Sequence, residues 1–172
     1  MLAALLVASI HGQQLPVAAR AVYAEDEVKA AFVYHFGTYV EWPAERGDEI
    51  TIAVLNADRI MTHLERFLPG RTIADRPVVP RSIDSIEDLA DAEVLFIGES
   101  DSATLGEIVG AVGERPVLIV TDAPDALRVG SMINLRVVEQ RVRFEISLIN
   151  AQRAGLMLSS RLLAAAIHVE RD

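Results

Sequence analysis

RPVLIVTDAP (115–124) leads into VGSMINLRVVEQRVRFEISLINAQRAGLMLSSRLL (129–163), and these two runs decide the fold. The first is an apolar run that stops at acidic turn residues, the pattern of a buried strand with a turn at its end. The helix-breaking Gly130 follows. Residues 132–138 and 141–148 alternate apolar and polar side chains on either side of Glu139 and Gln140, which predicts an antiparallel hairpin. Ser159 and Ser160, followed by Arg161, then open a helix that closes the chain. No nucleophile with an adjacent base and no phosphate loop occurs in this stretch or elsewhere, so the chain reads as a binding domain and not as an enzyme.

Working upstream, Val28, Phe32, Phe36 and Val40 fall at helical spacing between Glu25 and Trp42, with Ala31, His35 and Tyr39 beside them. Pro43 blocks continuation. The alternating run 50–55 predicts a strand, and Asn56 or Asp58 is positioned to cap a helix through Leu68, which Pro69-Gly70 ends. Pro77 and Pro80 interrupt the β-prone stretch 72–83, predicting an edge strand or an extended connection. A short acidic helix at 86–89, a strand at 93–97, a helix at 102–112 and a strand at 117–120 complete the series. Strands and helices alternating in this way predict right-handed crossovers and an α/β fold. The expectation is a single domain with a mixed, mostly parallel sheet flanked by helices, a C-terminal antiparallel hairpin and a closing helix.

The chain has 172 residues, 51% of them hydrophobic, enough for one core and too few for two ordinary domains. With 25 acidic against 16 basic residues the net charge is -9, which would repel a nucleic-acid backbone. Lys29 is the only lysine, and zero cysteines remove disulfides, thiolate nucleophiles and Cys-based metal sites. The apolar run LAALLVASI (2–10), a polar segment with a proline, and Val22 and Ala24 as small residues before Glu25 resemble a secretory signal peptide. The expectation is a leader over 1–24, cleaved near Ala24, and a periplasmic domain over 25–172.

Ligands of such sheets sit at the carboxyl ends of the strands, which directs attention to Asn56, Asp58, Gly98 to Asp101, Thr121 and Asp122. A phosphoacceptor or divalent-metal site like that of a receiver domain would also need a lysine at the end of a late strand, and Lys29 precedes every strand. Helix caps and turn residues are therefore the preferred reading. His11, His35, His63 and His168 form no pair at metal-ligand spacing, and His35 reads best as a core or interface histidine. Ser159 and Ser160 lack a GxSxG elbow and read as caps. Arg141, Arg143 and Glu145, with Arg136 on the partner strand, could grip an anion or form a cross-strand charge ladder; the ladder is preferred. Tyr34, Tyr39 and Trp42 gather most of the scarce amphipathic aromatics on the first helix and are candidate protein-binding residues. No cofactor and no metal are expected.

Four blocks resemble the YfiR-like family of exported bacterial proteins: VKAAFVYHFGTYVEWP (28–43), GRTIADRPVVPRSI (70–83), DAEVLFIGES (91–100) and the terminal block quoted at the outset. The resemblance implies a periplasmic repressor that acts on the sensor domain of an inner-membrane diguanylate cyclase and lowers cyclic di-GMP. It further implies homodimerisation and, in some systems, sequestration by an outer-membrane lipoprotein. The motif residues it carries over are Trp42 and Pro43, Gly130, Met132, Ile133 and Asn134, Arg143, Phe144 and Glu145, and Ser159, Ser160 and Arg161, in mainly structural roles. The alternative is a periplasmic small-molecule binder with its ligand in the strand-end cleft.

Overall fold

The computed structural model describes residues 17–43, 47–98 and 102–171. The apolar run of the expected leader and the loop residues 99–101 lie outside the described residues. Three short strands in which every residue is buried form the middle of the sheet: β2 (Ile50–Leu55), β5 (Val94–Ile97) and β6 (Leu118–Thr121). Such wholly buried, mainly apolar strands are stable only where both faces are covered, the situation of parallel pairs. Around them lie β3 (Thr72–Ile73), β4 (Arg76–Ile83), β7 (Ile133–Val138), β8 (Arg141–Ser147) and β10 (His168–Glu170), in the order β10-β8-β7-β6-β5-β2-β4-β3. Only β3/β4 and the β7/β8 hairpin pair antiparallel within this sheet. The mixed, mostly parallel α/β sheet expected from the sequence is thus present.

Helix α2 (Asp58–Phe67) joins β2 to β4, and α3 (Ser102–Val112) joins β5 to β6. Since β4 lies on one side of β2 and β5 on the other, right-handed crossovers put the two helices on opposite faces. The winding therefore reverses between β2 and β5. Helix α1 (Val17–Gly37) packs beside α2 and reaches β5 and β8. Phe32 and Phe36 of α1 meet Phe144 of β8, with ring centroids 5.6 and 5.0 Å apart respectively.

Several elements differ from the sequence reading. α1 ends at Gly37, and Val40–Glu41 leave it as a two-residue strand, β1, paired with β9 (Met157–Leu158). The buried face of α1 is Asp26, Lys29, Ala30, Val33, Tyr34 and Phe36, whereas Val28 is exposed. His35, expected in a core or an interface, is exposed, which removes the core alternative. α2 is capped neither by Asn56 nor by Asp58: its N-cap is Ala57, with no side-chain hydrogen bond. β4 is second from the edge, yet β3 covers it only at Arg76 and Pro77. Val78 still donates its N–H to the Arg71 carbonyl; beyond it the one strand paired with β4 among the described residues is β2, so the missing N–H of Pro80 is tolerated. α4 (Leu148–Arg153) and β10 follow from no periodic signal; β10 runs parallel to β8 and covers the outer side of the hairpin.

At the amino ends of the strands Glu93 is nearly fully buried and acts as a clip. One carboxylate oxygen accepts from the Thr51 backbone N–H at 2.9 Å, the other from Arg76 Nη2 at 2.7 Å, tying β2, β4 and β5 together. Gly130, at φ 113°, closes the 3-10 turn Ala126–Val129, where a Cβ would stand 2.6 Å from Val109 Cγ1. The β7/β8 hairpin turns through Glu139 and Gln140 at φ 49° and 61°, a two-residue turn that suits Asn-Gly far better. Replacing the pair by Asn-Gly is expected to raise stability by about 1 kcal/mol, read as a higher denaturation midpoint at unchanged slope.

Candidate functional site

The carboxyl ends of β2, β5 and β6 open on a polar crevice of about 470 Å³, lined by Glu25, Asp26 and Lys29 of α1, Asn56 to Ile60 at the start of α2, Gly98 after β5 and Asp122 after β6. Gly98 brings the ends of β2 and β5 together, because any Cβ there would collide with the Asn56 carbonyl. A second hollow of about 390 Å³ continues from Glu25, Lys29 and Asp122 along Pro124, Asp125 and the Asn134–Val137 segment of β7.

Lys29 is at the centre. Its ammonium stands 2.8 Å from Asp122 Oδ2 and 2.8 Å from Glu25 Oε1, with only 10% of the side chain exposed. Burial alone would push the lysine down, but the hydrogen bonds and charges of Asp122 and Glu25 outweigh it and hold the ammonium above its ordinary value. The sequence reading set this lysine outside any strand-end site; the fold corrects that, because α1 crosses the carboxyl edge of the sheet. Asp26, also buried, has the Nε of the exposed Arg59 at 3.1 Å. Among the described residues no hydrogen-bond donor reaches Asp122 Oδ1, and Asp26 Oδ2 receives no aligned hydrogen bond, its contact with Arg59 being an ion pair only. No group of three or more His, Asp or Glu side chains among the described residues converges as a metal site.

Next to Asp122 lies a hydroxyl and amide network of the buried Thr121, Ser131 and Asn134 with the half-buried Asn150. Thr121 Oγ1 is 2.9 Å from both Ser131 Oγ and Asn134 Oδ1, and Asn150 Nδ2 donates to the carbonyls of Leu127 and Ser131 at 2.8 and 2.9 Å. It fixes the loop between β6 and β7 and so the position of Asp122.

The candidate interface aromatics part company. Tyr34 is turned inward: its ring packs on Phe67, its hydroxyl donates to the Thr72 carbonyl at 3.0 Å, and it is 8% exposed. It belongs to the core and not to an interface. Trp42 is half-buried against the core, while Tyr39 is 38% exposed. Ser159 donates its backbone N–H to the Tyr39 carbonyl, and β9 pairs with β1, which sets the 64% exposed Met157 beside this segment.

The family model described as YfiR/HmsC-like (DUF4154) matches residues 26–167, nearly the whole described chain. The chain belongs to that family. The YfiR/HmsC-like family comprises periplasmic regulators of diguanylate cyclase signalling and is regulatory rather than catalytic. No curated protein matches the chain. Among solved structures, it is similar to a conserved domain protein from Vibrio cholerae O1 biovar eltor, with TM-score 0.58, 12% identity and 84% of this chain covered. It is also similar to the ABC domain in complex with L-Trp from Streptococcus pneumonia, with TM-score 0.55, 11% identity and 84% coverage. The chain spans 60% of the length of each, and at these identities the likeness is one of fold.

The YfiR/HmsC-like motif residues divide by place. Met132, Ile133, Asn134 and Phe144 are buried, and Ser159 Oγ accepts from the Leu162 N–H at 3.3 Å as the cap of α5 (Ser160–Ala165). Pro43, Arg143, Ser160 and Arg161 are exposed. Arg136 stands opposite Arg143 and bridges diagonally to Glu145 at 3.0 Å, the ladder preferred from the sequence. Ser131, Asn150 and Met157 escaped the sequence reading. Ser131 and Asn150 carry a signal only in hindsight, as polar residues inside apolar runs; Met157 carries none.

Proposed function

We propose that this chain is exported, is cleaved near Ala24, and represses an inner-membrane diguanylate cyclase by binding its periplasmic sensor domain, thereby lowering cyclic di-GMP. The observation that carries the reading is membership of the YfiR/HmsC-like family over residues 26–167. The surface around Tyr39, Met157 and the exposed part of Trp42 is the contact site, because it combines an amphipathic aromatic with uncovered apolar area. Homodimerisation and capture by an outer-membrane lipoprotein belong to the same reading, as further uses of exposed surface.

The test is co-purification of the tagged, exported chain from detergent-solubilised membranes, with cyclic di-GMP measured in cells that have or lack it. Enrichment of a membrane cyclase and a rise in cyclic di-GMP on deletion are expected; recovery of no cyclase with unchanged cyclic di-GMP would refute repression. Mass spectrometry of the mature N-terminus tests cleavage. Tyr39→Ala is expected to weaken the recovered complex by about 1–2 kcal/mol while the melting temperature holds, since more than a third of the residue is already exposed.

A further inference from the structure

We propose that Met157 is an oxidation site that regulates the contact surface: conversion of its thioether to the sulfoxide keeps the chain off its partner. The inference rests on the contact reading given above and adds a chemical control to it. Its first support is accessibility. Met157 is 64% exposed, more than any other large apolar side chain among the described residues. Of the other methionines after the expected leader, Met132 is 3% exposed and Met61 is half-buried against the core. A peroxide therefore meets one thioether well before the others. The chain has no cysteine, so no thiolate competes for the oxidant.

The second support is how the residue is held. Leu156 is buried and Leu158 packs against the core, so the alternation along Leu156, Met157 and Leu158 turns the middle side chain outward. The Leu156 N–H bonds to the Ala151 carbonyl and the Ser159 N–H to the Tyr39 carbonyl. These bonds anchor both ends of β9 and keep the thioether in one patch with Tyr39. An oxygen added to the sulfur reaches the contact surface without entering the core. Glu41, directly across from Met157 on β1, offers a carboxylate and no donor for that oxygen. Under a partner that covers this patch the sulfoxide is buried without a hydrogen bond, which weakens binding by roughly tenfold.

The chemistry balances with hydrogen peroxide as the oxidant. The sulfur lone pair attacks one peroxide oxygen, and the S–O bond forms as the O–O bond breaks. The sulfur is oxidised by two electrons, and the second oxygen takes the proton of the first and leaves as water. An exported chain lies outside the thiol pools that keep the cytosol reduced. A seated partner covers Met157, so the oxidant acts on the free chain and prevents its rebinding.

In the test, the exported chain is treated with hydrogen peroxide and cleared with catalase. It is then divided between peptide mass spectrometry, thermal melting and recovery of the cyclase from detergent-solubilised membranes. Sulfoxide at Met157 before any at Met61 or Met132 is expected, with an unchanged melting temperature and cyclase binding about tenfold weaker. Methionine sulfoxide reductases of both stereospecificities, with dithiothreitol, should restore binding. Met157→Leu should recover the same amount of cyclase before and after peroxide. Met157→Gln, which sets a polar group there permanently, should bind as weakly as the oxidised parent. Oxidation of Met61 or Met132 as fast as Met157, or an oxidised chain that recovers cyclase as the untreated one does, would overturn the proposal. Tyr39→Ala separates the two readings. Full recovery by the oxidised chain with a loss in Tyr39→Ala sinks the oxidative control alone, and full recovery by both sinks the contact surface and the control with it. An untreated chain that recovers no cyclase refutes repression and this control together.

Discussion

Phe144→Ala is expected to lower the unfolding free energy by about 3–5 kcal/mol, the largest loss of any single truncation considered for this chain. The ring is 5% exposed and lies between β8 and α1, 5.6 Å from the centroid of Phe32 and 5.0 Å from that of Phe36. Removing it deletes tilted and edge-on aromatic contacts and leaves a cavity that neither the hydrogen-bonded strand nor the helix can close without breaking other contacts. Because α1 carries Asp26 and Lys29 as well, loosening this contact also loosens the crevice. Chemical denaturation and thermal melting measure the effect. A variant that melts with the parent but fails to recover its partner would move Phe144 from core to interface and overturn the assignment.

The contrast with Tyr34 shows which part of the fold could be read directly. Phe144 sits in an alternating strand, where period two assigns it to one face together with Val142 and Ile146, and the hairpin register then follows from the turn at Glu139 and Gln140. β2 was legible from its alternating run, and β5 and β6 as short, mainly apolar runs bounded by turn residues. α1 offered no such guide. Its inner face includes Asp26 and Lys29, whose oppositely charged neighbours, Arg59 and Asp122, come from distant parts of the chain. Apolar periodicity could only select a stripe through Val28 and Phe32, and so placed Tyr34 outside. β1, β9 and β10 are two or three residues long, too short for any period to show.

The site was legible in its strand-end half. Asn56, Asp58, Gly98 and Asp122 follow from the rule that parallel sheets bind at their carboxyl edge. The other half comes from a helix that precedes every strand of the main sheet. Lys29 and Asp122 are 93 residues apart, and their pairing depends on the angle at which α1 crosses the sheet, which Phe32, Phe36 and Phe144 set by packing. No local pattern encodes that angle. A lone lysine in a predominantly acidic chain was the one available sign, and it argued against a strand-end site only so long as sequence order was taken for spatial order.

Lys29→Met is accordingly expected to destabilise the chain by about 3 kcal/mol, near the lower end of what breaking a buried ion pair costs. The methylenes are kept, so the loss reports charge and hydrogen bonding more than packing. Asp122, with 13% of its side chain exposed, would lose the ammonium at 2.8 Å, whereas Glu25, 34% exposed, can turn to water; this relief is why the upper end is not reached. The pH dependence gives a second signature. Lys29 titrates higher in the folded chain than its ordinary value, so the stability it contributes is fully present below the unfolded-state lysine value of about 10.4 and is lost as pH rises through the higher folded-state value. The variant has no such group. The stability gap between parent and Lys29→Met, measured by urea denaturation, should therefore be wide at about pH 8 and close only in strongly alkaline solution, above the unfolded-state value. A gap that stays constant through that range would show that the loss came from repacking and not from the ammonium. A variant as stable as the parent at about pH 8 would mean that Asp122 needs no cation, and the electrostatic account of the crevice would fall with it.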